Sequence, residues 1–190
     1  DIPEAIWNNT PSGRELLYLA HNHIPTMWDK RDIVLAQGEW RTIRGGYESV
    51  RVFPNNVELQ TRVWSNFDGV KMEMRLTNNS KNILTGLYTQ NCAMLAKMTG
   101  FNQQAADNKV FTPMAVACGN PSGTRWILYA WQACRRGWGS DLCPCLHSDP
   151  QFPDIPMGKS VVLRGWLSFY EGMEIDKALA NVNKKPWLHK

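Results

Sequence analysis

Residues 143–154 read Cys-Pro-Cys-Leu-His-Ser-Asp-Pro-Gln-Phe-Pro-Asp, so two thiols, an imidazole and two carboxylates share one short segment. Pro144, Pro150 and Pro153 exclude a helix and stiffen the backbone, which predicts an irregular but rigid stretch that holds reactive side chains in place. An imidazole poised near neutrality can take a proton, and a neighbouring carboxylate can orient it or protonate a leaving oxygen. His147 with Asp149, Asp154 or Glu171 is therefore a candidate acid–base set. The plain alternative is that Asp149 and Asp154 cap turns beside prolines and that Glu171 marks a strand end.

His21-Asn22-His23 closes an extended stretch. Side chains two apart on a strand point the same way and lie about 7 Å apart at the backbone, so both rings can reach one ion. His147 is the obvious third ligand, with Asp149, Asp154 or Glu171 as a carboxylate alternative. Three imidazoles with an open position suit one transition metal ion, Zn, Cu or Fe. Two hydrogen-bonded histidines at a sheet end are the competing reading. Cys143-x-Cys145-x-His147 could supply thiolates, but it lacks the second cysteine pair of structural zinc motifs, and Pro144 favours extended backbone over a knuckle.

The chain has five cysteines, an odd number. Cys92 and Cys118 sit in apolar, strand-like contexts and read as inert buried thiols. Cys134 is close enough in sequence to Cys143 and Cys145 for a loop-closing disulfide in an oxidising compartment. Among the nine tryptophans, Trp28 and Trp138 lie beside the polar segments and are the candidates for a sugar platform, the rest being core fillers. Asn102, Gln103, Asp107, Asn108 and Lys109 form a polar set of the kind that grips sugar hydroxyls.

These side chains must be positioned by strands, because period-two alternation dominates the chain. Residues 70–76 alternate Val, Met, Met, Leu with Lys, Glu, Arg, and residues 57–63 alternate likewise, with Asn66-Phe67-Asp68-Gly69 as the turn between them. Further strands are expected at 15–23, 38–43, 49–53, 83–95, 110–118, 125–133 and 160–170. Residues 174–184 alone carry helical spacing, with Ile175, Leu179 and Val182 on one side. The expectation is one all-β domain over 1–190, an antiparallel β-sandwich or jelly roll with one short C-terminal helix. Two long stretches, 99–109 and 135–157, read as irregular binding loops that lie close together.

The formal net charge is +4 and no basic block occurs, so nucleic acid is not expected; Arg135-Arg136 beside Trp138 is the only basic hint. No apolar run is long enough to cross a bilayer, and no membrane partner is expected. A start at Asp1 fits a mature secreted chain or a trimmed one. Exposed sheet edges suit a homodimer.

The motifs His21-Asn22-His23-Ile24-Pro25, Trp28-Asp29, Phe101-Asn102-Gln103, Asp107-Asn108-Lys109-Val110, the 143–154 string and Gly165-Trp166-Leu167-Ser168-Phe169-Tyr170-Glu171-Gly172 resemble an uncharacterised family of small exported bacterial β-sandwich proteins. The resemblance implies a secreted or periplasmic location and names no reaction. Residues 70–87 are also similar to the sandwich strands of galactose-mutarotase-like and polysaccharide-lyase proteins, a likeness of fold that does not fix function. The His-x-His on a strand is also similar to cupins, but the nearby Glu and the second His at short spacing that a cupin would carry are missing here. The combined expectation is a carbohydrate-active protein with a His-centred, metal-assisted site, working as a hydrolase, lyase or isomerase. A non-catalytic glycan-binding module and a jelly-roll metal-dependent oxygenase are the alternatives.

Overall fold

The strand Arg125–Trp131 is apolar at nearly every position, where a half-buried strand would alternate. The computed structural model, which describes residues 1–21, 24–36 and 38–190, shows why: both faces of this strand are covered. Ile127, Tyr129 and Trp131 point into the main core, while Leu128 and Ala130 point to a second cluster under the C-terminal helix.

Among the described residues there are fourteen strands, all paired antiparallel, in three sheets. In chain order they are β1 (Ala5–Thr10), β2 (Gly13–Leu19), β3 (Arg41–Ile43), β4 (Gly46–Val52), β5 (Val57–Asn66), β6 (Gly69–Asn78), β7 (Thr85–Gln90), β8 (Cys92–Met94), β9 (Lys109–Phe111), β10 (Ala115–Gly119), β11 (Arg125–Trp131), β12 (Cys134–Trp138), β13 (Cys145–Pro150) and β14 (Ser160–Glu171). An eight-stranded sheet runs β3-β4-β5-β6-β14-β11-β10-β9. Two three-stranded sheets, β2-β1-β7 and β12-β13-β8, supply the opposing layer. Ile6, Leu17, Leu87 and Leu146 from the small sheets meet Met72, Met74, Val116, Ile127, Tyr129 and Trp131 from the large one. The architecture is the expected all-β sandwich.

The β5–β6 hairpin follows the predicted register, Val57 opposite Asn78 and Asn66 opposite Gly69. The one α-helix among the described residues, α1 (Ile175–Asn183), buries Ala178, Leu179 and Val182 against Ala115, Ala117 and Trp166 on the outer face of the large sheet. Burying Leu179 and Val182 contributes roughly 1.5–3 kcal/mol each, which holds a helix too short to persist alone.

Four expectations change. Residues 110–118 form two short strands, because Thr112 turns the chain by accepting and donating hydrogen bonds with Ala115. β1 has no regular alternation in its Asn8-Asn9 half and β12 carries Arg135-Arg136-Gly137, so neither declares itself by pattern. The 143–154 segment is half strand. Pro144 precedes β13 and Pro150 is its last residue, so the prolines flank the ladder and remove none of its interior donors. The proposed disulfide is absent and all five thiols are free. In the β12–β13 pairing Cys134 lies opposite Pro150, at the far end of β13 from Cys145, about 16 Å along the strand.

Candidate functional site

Period two decides what β13 presents. Leu146 enters the main core, so Cys145, His147 and Asp149 lie on the opposite face. The neighbouring strands deliver side chains to that same face by direct pairing. Trp138 of β12 is opposite His147, Arg136 is opposite Asp149, and Cys92 of β8 is opposite His147 from the other side. Trp138 and His147 stack with ring centroids 3.9 Å apart and planes 15° from parallel. The stack shuts His147 from water, leaving it 2% exposed.

Asp149 is fully buried and its carboxylate is heavily solvated by protein. Oδ2 accepts from the Trp138 indole N–H at 2.6 Å, the Tyr88 hydroxyl at 3.0 Å and the Arg136 guanidinium at 3.1 Å, and Oδ1 accepts from the Asn91 backbone N–H at 3.0 Å. Burial alone would raise its pKa. The neighbouring His147, these donors and the Arg136 charge outweigh burial and hold Asp149 below the usual carboxylate range. Tyr88 is pushed up to about 12, first by burial and then by the Asp149 charge, so it stays a neutral donor.

His147 is less well served. Its Nδ1 is buried with no hydrogen-bond partner, 3.7 Å from Asp149 Oδ1 and 3.9 Å from Glu4 Oε2. Those separations are too long for hydrogen bonds and act as charge contacts. Burial pulls the imidazole pKa down, but Asp149 and Cys145 pull harder and the net direction is up. Beside it on the same face are the Cys145 and Cys92 thiols. The neighbouring Cys92 thiol and His147 favour the Cys145 thiolate and lower its pKa, while Cys145 and burial push Cys92 up. Glu4, Cys92 and His147 each bring a ligand atom within 4.8 Å of the other two.

Above the buried carboxylate the surface opens into a cleft of about 550 Å³ lined by Trp7, Arg14, Tyr88, Gln90, Arg135 and Arg136. Three guanidinium groups converge on the Tyr88 ring, Arg14 at 5.2 Å, Arg135 at 5.2 Å and Arg136 at 6.0 Å from its centroid. Arg136 also covers Trp138 at 4.7 Å and Arg14 covers Trp7 at 5.5 Å. Arg136 pairs with Asp149. Among the described residues no carboxylate lies within ion-pair distance of Arg14 or Arg135. A smaller recess of about 250 Å³ continues past Arg14 and Arg135 to Asn9 and Gln151. A separate cleft of about 480 Å³ beside β4 and β5 is lined by Tyr18, Trp40, Tyr47 and Arg51. Its cation is already engaged, Arg51 bonding the Ala36 carbonyl and lying 4.9 Å over Tyr18.

The sequence-predicted residues scatter around this centre. His147, Asp149 and Trp138 do come together. His21 is half exposed with Nε2 2.8 Å from the Asp1 carboxylate, and it is not one of the three grouped metal-capable side chains; His23 lies outside the described residues. Trp28 cannot be a platform as expected, because it is buried in the main core with its indole N–H donating to the Leu17 carbonyl at 2.8 Å. Glu171 is exposed at the end of β14, 3.6 Å from Arg125, which is the strand-end role. Asp154 is exposed between the buried Phe152 and Ile155.

The two long stretches do meet, since a Cβ on Gly139 would sit 2.5 Å from Lys109 Cδ and 3.0 Å from the Cys145 carbonyl. Lys109 is spent internally, however, its buried Nζ bonding the Ala105 carbonyl and Asn108 Oδ1, so it corrects to a loop-closing residue. Asn102, Gln104 and Asp107 remain exposed while Gln103 and Asn108 are half-buried. Sequence reasoning missed Glu4, Trp7, Arg14, Tyr88, Gln90 and Cys92, which reach the site only through strand pairing.

No protein-family model and no curated protein matches the sequence. Among solved structures, the chain is similar to part of a protein assigned as a kojibiose phosphorylase from the human microbiome, with TM-score 0.48 and 7% identity, over 74% of this chain and 21% of that one. It is also similar to part of a mutant of heparan sulfate lyase HepC from Pedobacter heparinus, with TM-score 0.42 and 12% identity, over 72% of this chain and 22% of that one. The chain thus spans about a fifth of the length of either protein. Both names belong to carbohydrate-active proteins, and the likeness to them is distant.

Proposed function

We propose that the protein binds an acidic carbohydrate in the cleft between β1, β2, β7 and β12. The observation that carries this reading is the convergence of Arg14, Arg135 and Arg136 over one aromatic floor, with two of the three cations lacking an acidic partner among the described residues. A guanidinium fork matches a carboxylate in two parallel hydrogen bonds, so a uronate-bearing sugar suits it. The rings of Trp7 and Tyr88 offer apolar faces for sugar C–H groups, and the amides of Gln90, Asn9 and Gln151 offer donors and acceptors for hydroxyls.

Retention of a ligand suits this geometry better than turnover. Tyr88 faces the cleft with its pKa pushed away from neutrality, and His147 and Asp149 are sealed beneath the floor. General acid–base catalysis needs a group poised near the working pH and within reach of the substrate. A second reading, a neutral-glycan platform at the partly exposed Trp40 and Tyr47, rests on their shared cleft.

Affinity electrophoresis in gels containing polygalacturonate or a neutral dextran tests the proposal. Retardation by the acidic polymer alone, abolished in Arg14→Ala/Arg135→Ala and unchanged in Trp40→Ala, is the expected pattern. Equal retardation by dextran that Trp40→Ala removes would move the site to the other cleft. Shortened or unsaturated products released from the acidic polymer would replace binding with catalysis.

A further inference from the structure

We propose that Cys92, Cys145, His147 and Glu4 form a tetrahedral zinc site that fastens the N-terminal segment to the β8–β13 ladder. Cys145 and His147 alternate on one strand and Cys92 pairs directly with His147, so two thiols and an imidazole share one face by strand geometry alone. Glu4 arrives from outside that sheet. Its backbone N–H donates to the Gln90 carbonyl at 2.7 Å, and its carboxylate accepts from the Gln90 side chain at 2.8 Å, which aims Oε2 at the imidazole.

The spacing fits an ion better than it fits the side chains' own bonding. Ligand atoms around tetrahedral zinc lie about 3.3–3.8 Å apart, given Zn–N and Zn–O near 2.0–2.1 Å and Zn–S near 2.3 Å. Glu4 Oε2 and His147 Nδ1 are 3.9 Å apart, and Glu4, Cys92 and His147 fall within 4.8 Å of one another, so modest side-chain rotation closes the set. Cys145, two residues before His147 on the same face of β13, is the fourth ligand; it lies outside that 4.8 Å group and turns inward to complete the set. The orphaned Nδ1 of the buried His147 is the second, independent sign, since an unpartnered buried nitrogen is costly unless something else satisfies that ring.

Two thiolates with an imidazole and one carboxylate favour a borderline-soft, redox-inert ion over calcium or magnesium, and four protein ligands leave no open coordination position for substrate. The role is therefore structural. Asp149 Oδ1, 3.7 Å from His147 Nδ1, and Gln90 on Glu4 are the outer groups that orient the ligands.

The test uses the full chain without a histidine tag, purified under reducing conditions from zinc-supplemented medium. Elemental mass spectrometry should find one zinc per chain, and cobalt added to the chelator-stripped protein should give a near-ultraviolet sulfur-to-cobalt charge-transfer band. Both should be lost in Cys92→Ser/Cys145→Ser and kept in Cys134→Ser and Cys118→Ser. Should the double variant fail to fold, Glu4→Gln supplies the readout: the cobalt band remains while zinc affinity falls about 10–100-fold. Added zinc should raise the Tm of the stripped wild type but not of the cysteine variant. Substoichiometric zinc in folded, reduced protein, or a cobalt band that survives the double cysteine substitution, would overturn the assignment.

Discussion

Two buried carboxylates divide the molecule. Glu48 on β4 is 2% exposed and takes hydrogen bonds from Arg41, Arg62 and Gln60, so the cations and amide around it end on one acid. Asp149 on β13 is equally buried but is held by one arginine and three neutral donors, and around it remain Arg14, Arg135 and an unpartnered imidazole nitrogen. Around Glu48 the polar groups are spent on each other and contribute stability. Around Asp149 a surplus of cations and donors is left facing a cleft, which is the condition for binding something from outside.

Breaking the Asp149 network should cost most. Asp149→Ala strips Arg136, Tyr88 and Trp138 of a common acceptor, and urea denaturation should show a loss of about 3–5 kcal/mol, typical of an opened buried pair. Trp138→Phe keeps a ring against His147 and removes only the indole bond to the carboxylate, so the same measurement should read about 1.5 kcal/mol.

Glu48→Gln should cost less, about 1 kcal/mol at neutral pH, because Arg41 is 71% exposed and its charge is screened. The sign with pH follows from the arginines holding Glu48 below its ordinary 4.5. Its ionised form contributes fully above that unfolded value, and the contribution disappears as pH falls through the lower folded value. Wild type and Glu48→Gln should therefore differ in Tm at pH 7 and converge in strong acid. The smallest effect on folding belongs to Arg135→Ala, within about 0.5 kcal/mol, since its exposed side chain has no acidic partner among the described residues.

Alternation carried the reading of the large sheet. The β5–β6 hairpin, β14 and α1 each bury one face, and a one-face pattern is visible in a single sequence. The site was only half visible. Cys145-x-His147-x-Asp149 is a period-two set within one strand, a signal hidden by the prolines that bracket it. Glu4, Tyr88, Arg14 and Cys92 come from strands distant in sequence, and nothing local in their own segments marks them. Trp28 shows the opposite failure: polar neighbours in sequence say little about a ring whose indole N–H finds its partner inside the core.

Calorimetric titration of wild type and Arg14→Ala/Arg135→Ala with an oligogalacturonate, at low and high salt, tests the central claim most directly. Saturable binding that weakens with salt and falls at least about tenfold in the double variant, about 1.4 kcal/mol, is the predicted result. Affinity that is the same in both proteins, or the same for an uncharged oligosaccharide, would contradict it.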